Sequence, residues 1–176
     1  MTLIVQNDTG SEAGANAYID VAWFKEYHDA RGNDYSAATD DPAIERAIIK
    51  ATDYLDTRFS FVGRRRNGRP QTTEWPRTNA YDADRNYITD LPEEVKEATA
   101  EYALRAIAQE LVDDPTRDPS GREVASRSES VGPIKESVTY KADGPGSTFS
   151  MPTYPLADRK LTKAGLTRSG GTLVRG

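Results

Sequence analysis

Cysteine is absent from the 176 residues, and histidine occurs once, as His28. The first absence excludes disulfides, thiolate catalysis and cysteine-held metals, and the second leaves little room for histidine metal sites or proton relays. Long apolar runs are missing too. No stretch approaches the roughly 18 residues of a spanning helix, and MTLIVQNDTG has no basic flank before a long apolar core, so neither a membrane span nor a secretory signal is expected. Nor is there an excess of positive charge: 23 Lys+Arg face 28 Asp+Glu, a formal net charge of −5. Coating of nucleic acid by bulk charge alone is thereby disfavoured.

What is present is a sharp segregation of that charge. Residues 1–62 hold 5 basic and 11 acidic side chains, 63–77 hold 5 and 1, 78–154 hold 8 and 15, and 155–176 hold 5 and 1. Two short basic stretches therefore interrupt an acidic body. Glycine and proline are uneven as well, with 8 of 13 Gly and 6 of 10 Pro in residues 113–176. The compact part is expected to end near Val112.

Three helices are expected before that point. The first follows Asp20 as cap and runs through Trp23, Phe24 and Tyr27 to Ala30, before Gly32. The second opens at Asp41-Pro42, an acceptor followed by a proline whose missing N–H costs nothing in a first turn. Its residues Ile44, Ile48, Ala51 and Leu55 recur at helical spacing on one stripe. The third starts around Leu91-Pro92-Glu93-Glu94, whose carboxylates suit the positive end of the helix dipole. Val95, Ala98, Tyr102, Ala106 or Ile107, and Leu111 line its buried side until Asp113-Asp114-Pro115 stops it. After residue 113 the pattern alternates around a Val131-Gly132-Pro133 turn, which predicts a β-hairpin over about 122–141.

The expected fold is thus mainly α: a small helical bundle (1–112), one antiparallel β-hairpin (113–141) and an extended C-terminal arm (142–176). Phe149, Tyr154, Leu156, Leu161 and Leu166 are scattered along that arm among small, polar and basic residues. They cannot build a core of their own, so the tail is expected to be either disordered or ordered only by neighbours.

Several chemical signals have simpler structural readings. Asp82, Asp84, Asn86 and Glu93 partly match the oxygen spacing of a calcium loop, but Tyr87 replaces the required glycine, and an Asx-rich turn is the simpler reading. Gly144-Pro145-Gly146 and Ser169-Gly170-Gly171 lack the context of a phosphate loop and read as joints. His28 has no nucleophile partner and reads as a helix-surface residue. No catalytic constellation, metal set or cofactor motif emerges, so an enzyme is not expected.

The basic loop Arg64-Arg65-Arg66-Asn67-Gly68-Arg69, followed by Glu74-Trp75-Pro76-Arg77, is the richest stretch. Arginines grip phosphates or carboxylates, and Trp75 offers a stacking or anchoring surface, a mixture found at nucleic-acid and protein interfaces alike. The alternative is a solvated loop with Trp75 tucked over the bundle.

A resemblance enters on these residues. Leu3-Ile4-Val5, Thr9-Gly10, Ala15-Asn16-Ala17-Tyr18-Ile19 and Ala30-Arg31-Gly32-Asn33 are followed by Ile49-Lys50-Ala51-Thr52-Asp53-Tyr54-Leu55 and Phe61-Val62-Gly63-Arg64. Glu74-Trp75-Pro76-Arg77-Thr78, Ile88, Leu91-Pro92, Val95 and Ala103-Leu104-Arg105-Ala106 complete the order. Over about residues 3–112 this resembles a tailed-bacteriophage family labelled DnaT-like single-stranded-DNA-binding proteins.

Members of that family also resemble the head-to-tail adaptor of long-tailed phages. That likeness implies a virion structural protein of the neck, made in the host cytoplasm. It would form a closed homo-oligomeric ring, usually a dodecamer, between the portal and a tail-completion or stopper protein. Double-stranded DNA would pass through the lumen without sequence-specific binding, with no membrane and no cofactor involved. Arg64, Arg65, Arg66, Arg69, Trp75 and Arg77 would then meet the portal or a neighbouring subunit, and Phe149, Tyr154, Leu156, Leu161 and Leu166 would carry the arm contacts.

The alternative is single-stranded-DNA binding in phage replication. A strand binder needs a basic groove with aromatic platforms, whereas a ring lumen suits an acidic body. The net charge, with Glu93, Glu94, Glu97, Glu101 and Glu110 on the third helix, favours the adaptor on sequence grounds.

Overall fold

The computed structural model describes residues 2–112, 124–130, 135–140 and 153–168. The described chain is mainly helical, with four helices and two small antiparallel sheets in the order α1 (Val21–Asp29), α2 (Asp41–Arg58), β1 (Arg64–Arg65), β2 (Arg77–Thr78), α3 (Glu93–Ala108), β3 (Val124–Ser130), β4 (Lys135–Tyr140) and α4 (Pro155–Lys163). Two compact units divide it. One comprises Met1–Leu111 with Pro152–Gly176, the other Val112–Met151.

In the first unit α1 starts where Asp20 accepts a hydrogen bond from the Trp23 N–H at 2.7 Å. At α2 the cap is Asp40, one residue before the expected Asp41, and it accepts from the Ala43 N–H at 2.8 Å. Asp41 becomes the first helical residue, with its carboxylate in the favourable first turn. The stripe Ile44, Ile48, Ala51 and Leu55 is buried throughout. On α3 the buried side carries Val95, Ala98 and Tyr102, while Ala106 and Ile107 are half-buried. That helix ends at Ala108, earlier than the Asp113-Asp114-Pro115 stop, and Leu111 reaches the core from the segment beyond it.

α3 is the centre of the unit, with α1, α2 and α4 all against it. Its run of small residues, Ala98, Ala100 and Ala103, all without exposure, lets neighbours approach the backbone closely.

The C-terminal segment departs from the expected extended arm. Residues 155–163 form a helix with Pro155 in its first turn, and Ala157, Leu161 and Leu166 are buried in the same core as α3. Tyr154 rings pack edge-on with Tyr54 and Tyr102, with centroids 5.8 Å apart in both pairs, and its hydroxyl donates to the Leu111 carbonyl at 3.2 Å. Among the described residues, the ion pairs Arg58–Asp158 at 2.7 Å and Lys160–Glu97 at 2.6 Å tie α4 down. The Tyr102 hydroxyl also donates to Asp158. Among the arm residues singled out from sequence, Tyr154, Leu161 and Leu166 are thus bound within their own chain, Leu156 is 55% exposed, and Phe149 lies outside the described residues.

The second unit holds β3 and β4 as an antiparallel pair, running from Val124 opposite Tyr140 to Ser130 opposite Lys135, with an irregularity between Val124 and Ser126. This is the hairpin expected over 122–141. Its Val131-Gly132-Pro133 turn, and the glycine joints at 144–146 and 169–171, lie outside the described residues.

Candidate functional site

The link between α2 and α3 is built on a two-residue ladder, Arg64 opposite Thr78 and Arg65 opposite Arg77. Gly63 makes it fit. Its φ of +72° lies in the left-handed region, and a Cβ there would strike the Thr78 carbonyl and come within 3.0 Å of the Ala80 nitrogen. Gln71, 2% exposed, closes the loop from inside by donating to the carbonyls of Thr73 at 2.9 Å and Pro76 at 3.0 Å.

Trp75 is not a surface platform. It is fully buried, 5.7 Å from the Phe61 ring at a near-perpendicular angle, and its peptide bond to Pro76 is cis. A polar clasp from two distant segments holds its backbone. The Trp75 N–H donates to the Tyr18 hydroxyl at 3.1 Å, Tyr18 donates to Asp56 at 2.5 Å, and the Glu74 N–H donates to the other Asp56 oxygen at 3.0 Å. Loss of water around the Asp56 carboxyl pushes its pKa up to about 7, against the pull of these two hydrogen bonds.

The six expected contact residues therefore separate by role. Arg77 is buried and saturated: it pairs with Glu74 and donates to the carbonyls of Val62 at 2.7 Å and Gly63 at 3.1 Å. Arg65 shares Glu74 at 3.1 Å, and Arg66 clamps the loop by donating to the carbonyls of Thr89 at 2.5 Å and Asp8 at 3.2 Å. Arg64 and Arg69 are exposed and pair with no carboxylate among the described residues. Trp75 is a core residue because a wholly buried indole cannot receive a base without unfolding the clasp.

The most exposed aromatic feature among the described residues is one that the sequence analysis did not single out. Beyond β2 the chain makes a small hairpin, with the Ile88 N–H donating to the Ala80 carbonyl at 3.0 Å, the Asp82 N–H to the Asn86 carbonyl at 3.0 Å, and Tyr81 bridged to Tyr87. Asp82 organises the turn, accepting from the backbone N–H groups of Asp84 at 2.9 Å and Asn86 at 2.8 Å and from the Asn86 side chain at 2.9 Å. These donors hold its pKa below the usual carboxylate range. The acid spacing around Asp82 is thus an Asx turn. At its tip Arg85 takes a left-handed φ of 67°. The Tyr81 and Tyr87 rings flank the turn 5.3 Å apart at 61°, and are 52% and 49% exposed. The available signal was two tyrosines placed symmetrically about an Asp-rich, Asn-containing turn.

His28 also needs correction. It is fully buried, not on the helix surface, because it follows the buried Phe24 by one helical turn. Nε2 lies 3.1 Å from the Ala100 carbonyl and Nδ1 3.0 Å from the Asn33 amide, an arrangement met by a neutral ring that donates from Nε2 and accepts at Nδ1. Burial lowers its pKa. Both nitrogens are occupied, so the ring holds structure.

Fold and site together define a small, mainly helical protein whose inter-helix link exposes arginines and a tyrosine pair. The chain belongs to the family described as "Putative DnaT-like ssDNA binding protein", whose model matches residues 1–176. No curated protein and no solved structure matches it.

The family match overturns the head-to-tail adaptor identification, and with it the neck ring, the portal and stopper partners and the lumen for double-stranded DNA. The acidic side chains that favour an adaptor on sequence grounds are largely paired within the fold. Glu97 pairs with Arg31 at 3.2 Å and with Lys160, Glu101 with Arg105 at 2.9 Å, and Glu110 with Lys50 at 2.5 Å. Much of the acidity of α3 and of the segment just after it is neutralised within the chain, and a net charge says nothing about where uncompensated cations lie.

Proposed function

We propose that this protein binds single-stranded DNA and works by occupying the strand, not by catalysis. The family match along residues 1–176 carries the reading. The exposed arginines of the α2–α3 link support it, since strand affinity without sequence readout comes from cations on the phosphates joined to aromatic faces for the bases. Three to five such cations predict a slope of log K against log salt of about −2 to −3.5 for a single strand.

The test is fluorescence anisotropy of a labelled oligothymidine with the full chain, titrated at several salt concentrations, beside a duplex of equal length. Binding that prefers the single strand and weakens with that slope is expected. Absence of binding at the lowest salt contradicts the reading.

A further inference from the structure

Tyr81, Tyr87 and Leu156 are the large apolar side chains that stand exposed among the described residues, and two of these three sit side by side on one hairpin. Paired exposure of this kind is a departure from what a folded surface needs, since an isolated exposed ring is ordinary but an aromatic cluster marks a contact site. The hairpin is also fixed in place. The Ala83 N–H donates to the Ala164 carbonyl at 2.9 Å, and Gly165, at φ +73°, lies so close that a Cβ would come within 2.7 Å of the Ala83 nitrogen.

Those anchors gather cations from three parts of the chain. Arg64 lies on β1 opposite Thr78, and Gly63 beside it abuts Ala80, the residue before Tyr81. Arg168 donates through its side chain to the Gly63 carbonyl at 3.1 Å and through its backbone to Ser60 at 2.7 Å. Lys163 precedes Ala164, and Arg85 sits at the hairpin tip. Arg64, Arg85, Lys163 and Arg168 are exposed, and none pairs with a carboxylate among the described residues. Two acids stand in the same turn: Asp82, whose oxygens are held by N–H donors, and Asp84, which is exposed. The local balance stays positive.

We propose that the Tyr81–Tyr87 pair is the base-stacking platform of the strand-binding surface, with Arg64, Arg85, Lys163 and Arg168 holding the backbone phosphates on either side. This rests on the single-stranded-DNA reading and adds the place and chemistry of contact. The tilted pairing leaves ring surface open to solvent, and every base has a π-face, so stacking here is tolerant of sequence. A duplex is a poor ligand for it because its bases are already stacked and paired. An aliphatic protein partner fits less well, since the rings are bordered by cations and a polar turn.

A purely structural role, in which the rings brace the hairpin across its strands, is separable by experiment. Oligothymidine and an abasic strand of equal length are titrated against the wild-type chain and Tyr81→Leu/Tyr87→Leu, which keeps apolar bulk but removes the π-faces. Thermal unfolding checks that the variant stays folded. The wild type is expected to prefer the base-bearing strand by about tenfold or more, and the variant to lose that preference while binding the abasic strand as the wild type does. Tyr81→Phe/Tyr87→Phe should restore it. If the double variant fails to fold, Tyr81→Leu and Tyr87→Leu are tested singly, each expected to reduce the preference, and a folded single-variant pair that keeps it in full overturns the platform.

A wild type that binds both strands equally, or a folded Leu variant that keeps the full preference, overturns the platform and leaves strand binding intact. A wild type that binds neither strand at low salt overturns both.

Discussion

Residues 74–77 and residues 80–88 lie on the same link between α2 and α3, yet they use aromatic rings and arginines in opposite ways. In the first, Trp75 is sealed in the core and Arg77 is saturated by Glu74 and two carbonyls. In the second, Tyr81 and Tyr87 stand half in solvent and Arg85 has no carboxylate partner among the described residues. An aromatic beside arginines is therefore no guide to binding until burial is known. Enclosure turns the same chemistry into a clasp, and exposure leaves it free for a ligand.

Substitutions that separate stability from binding sharpen this contrast. The largest effect is expected from Trp75→Ala, which should cost about 3–5 kcal/mol in chemical denaturation because it empties a fully enclosed site. For a domain whose whole stability is about 5–15 kcal/mol, that loss leaves a much larger unfolded fraction. Equal stability of variant and wild type would mean that the 74–77 clasp is peripheral.

Leu161→Ala, in the helix that sequence placed in an arm, should cost about 2–5 kcal/mol by the same assay. Leu156→Ala, one helix face away and exposed, should stay within about 0.5 kcal/mol.

Asp56 gives a pH test of the clasp. Its folded pKa, about 7, lies above the ordinary value of 3.8, so the folded state holds the proton more tightly than the unfolded chain. The stabilisation is full below about pH 4 and is lost as pH rises towards 7. In thermal unfolding followed across that window, Asp56→Asn should flatten the decline. A slope unchanged by the substitution would place the dependence elsewhere.

The smallest effect belongs to the exposed side of the comparison. Arg64→Ala should leave stability within about 0.5 kcal/mol while reducing the salt slope of strand binding by about 0.7, the share of one phosphate contact. A slope equal to the wild type's would remove Arg64 from the contact surface.

How far this contrast could be read in advance depended on the range of the interactions involved. The α2 stripe from Ile44 to Leu55, the Asp20 cap and the acidic start of α3 were legible because helical period and end signals are local. The β3–β4 hairpin was legible from its alternation. α4 was not, since its surroundings are rich in glycine and proline. The signal lay in Pro155 at a first turn followed by Ala157 and Leu161 one turn apart. The burial of Trp75 was illegible for a different reason. It depends on Tyr18 and Asp56, which come from segments far away in sequence, and no spacing rule connects them. Tyr81 and Tyr87 were illegible because the stronger local pattern is the Asp82, Asp84, Asn86 spacing between them, in which the Asp82 carboxylate makes the turn.

Photocrosslinking tests the division of roles most directly. The full chain, bound to an oligonucleotide carrying iodouracil, is irradiated, and the adduct-bearing peptides are identified by mass spectrometry. Adducts on Tyr81 or Tyr87, with Trp75 unmodified, are expected, since only a ring in contact with the base reacts. Adducts on Trp75, or confined to peptides outside residues 80–88, would contradict the assignment of the exposed hairpin as the place where the strand is held.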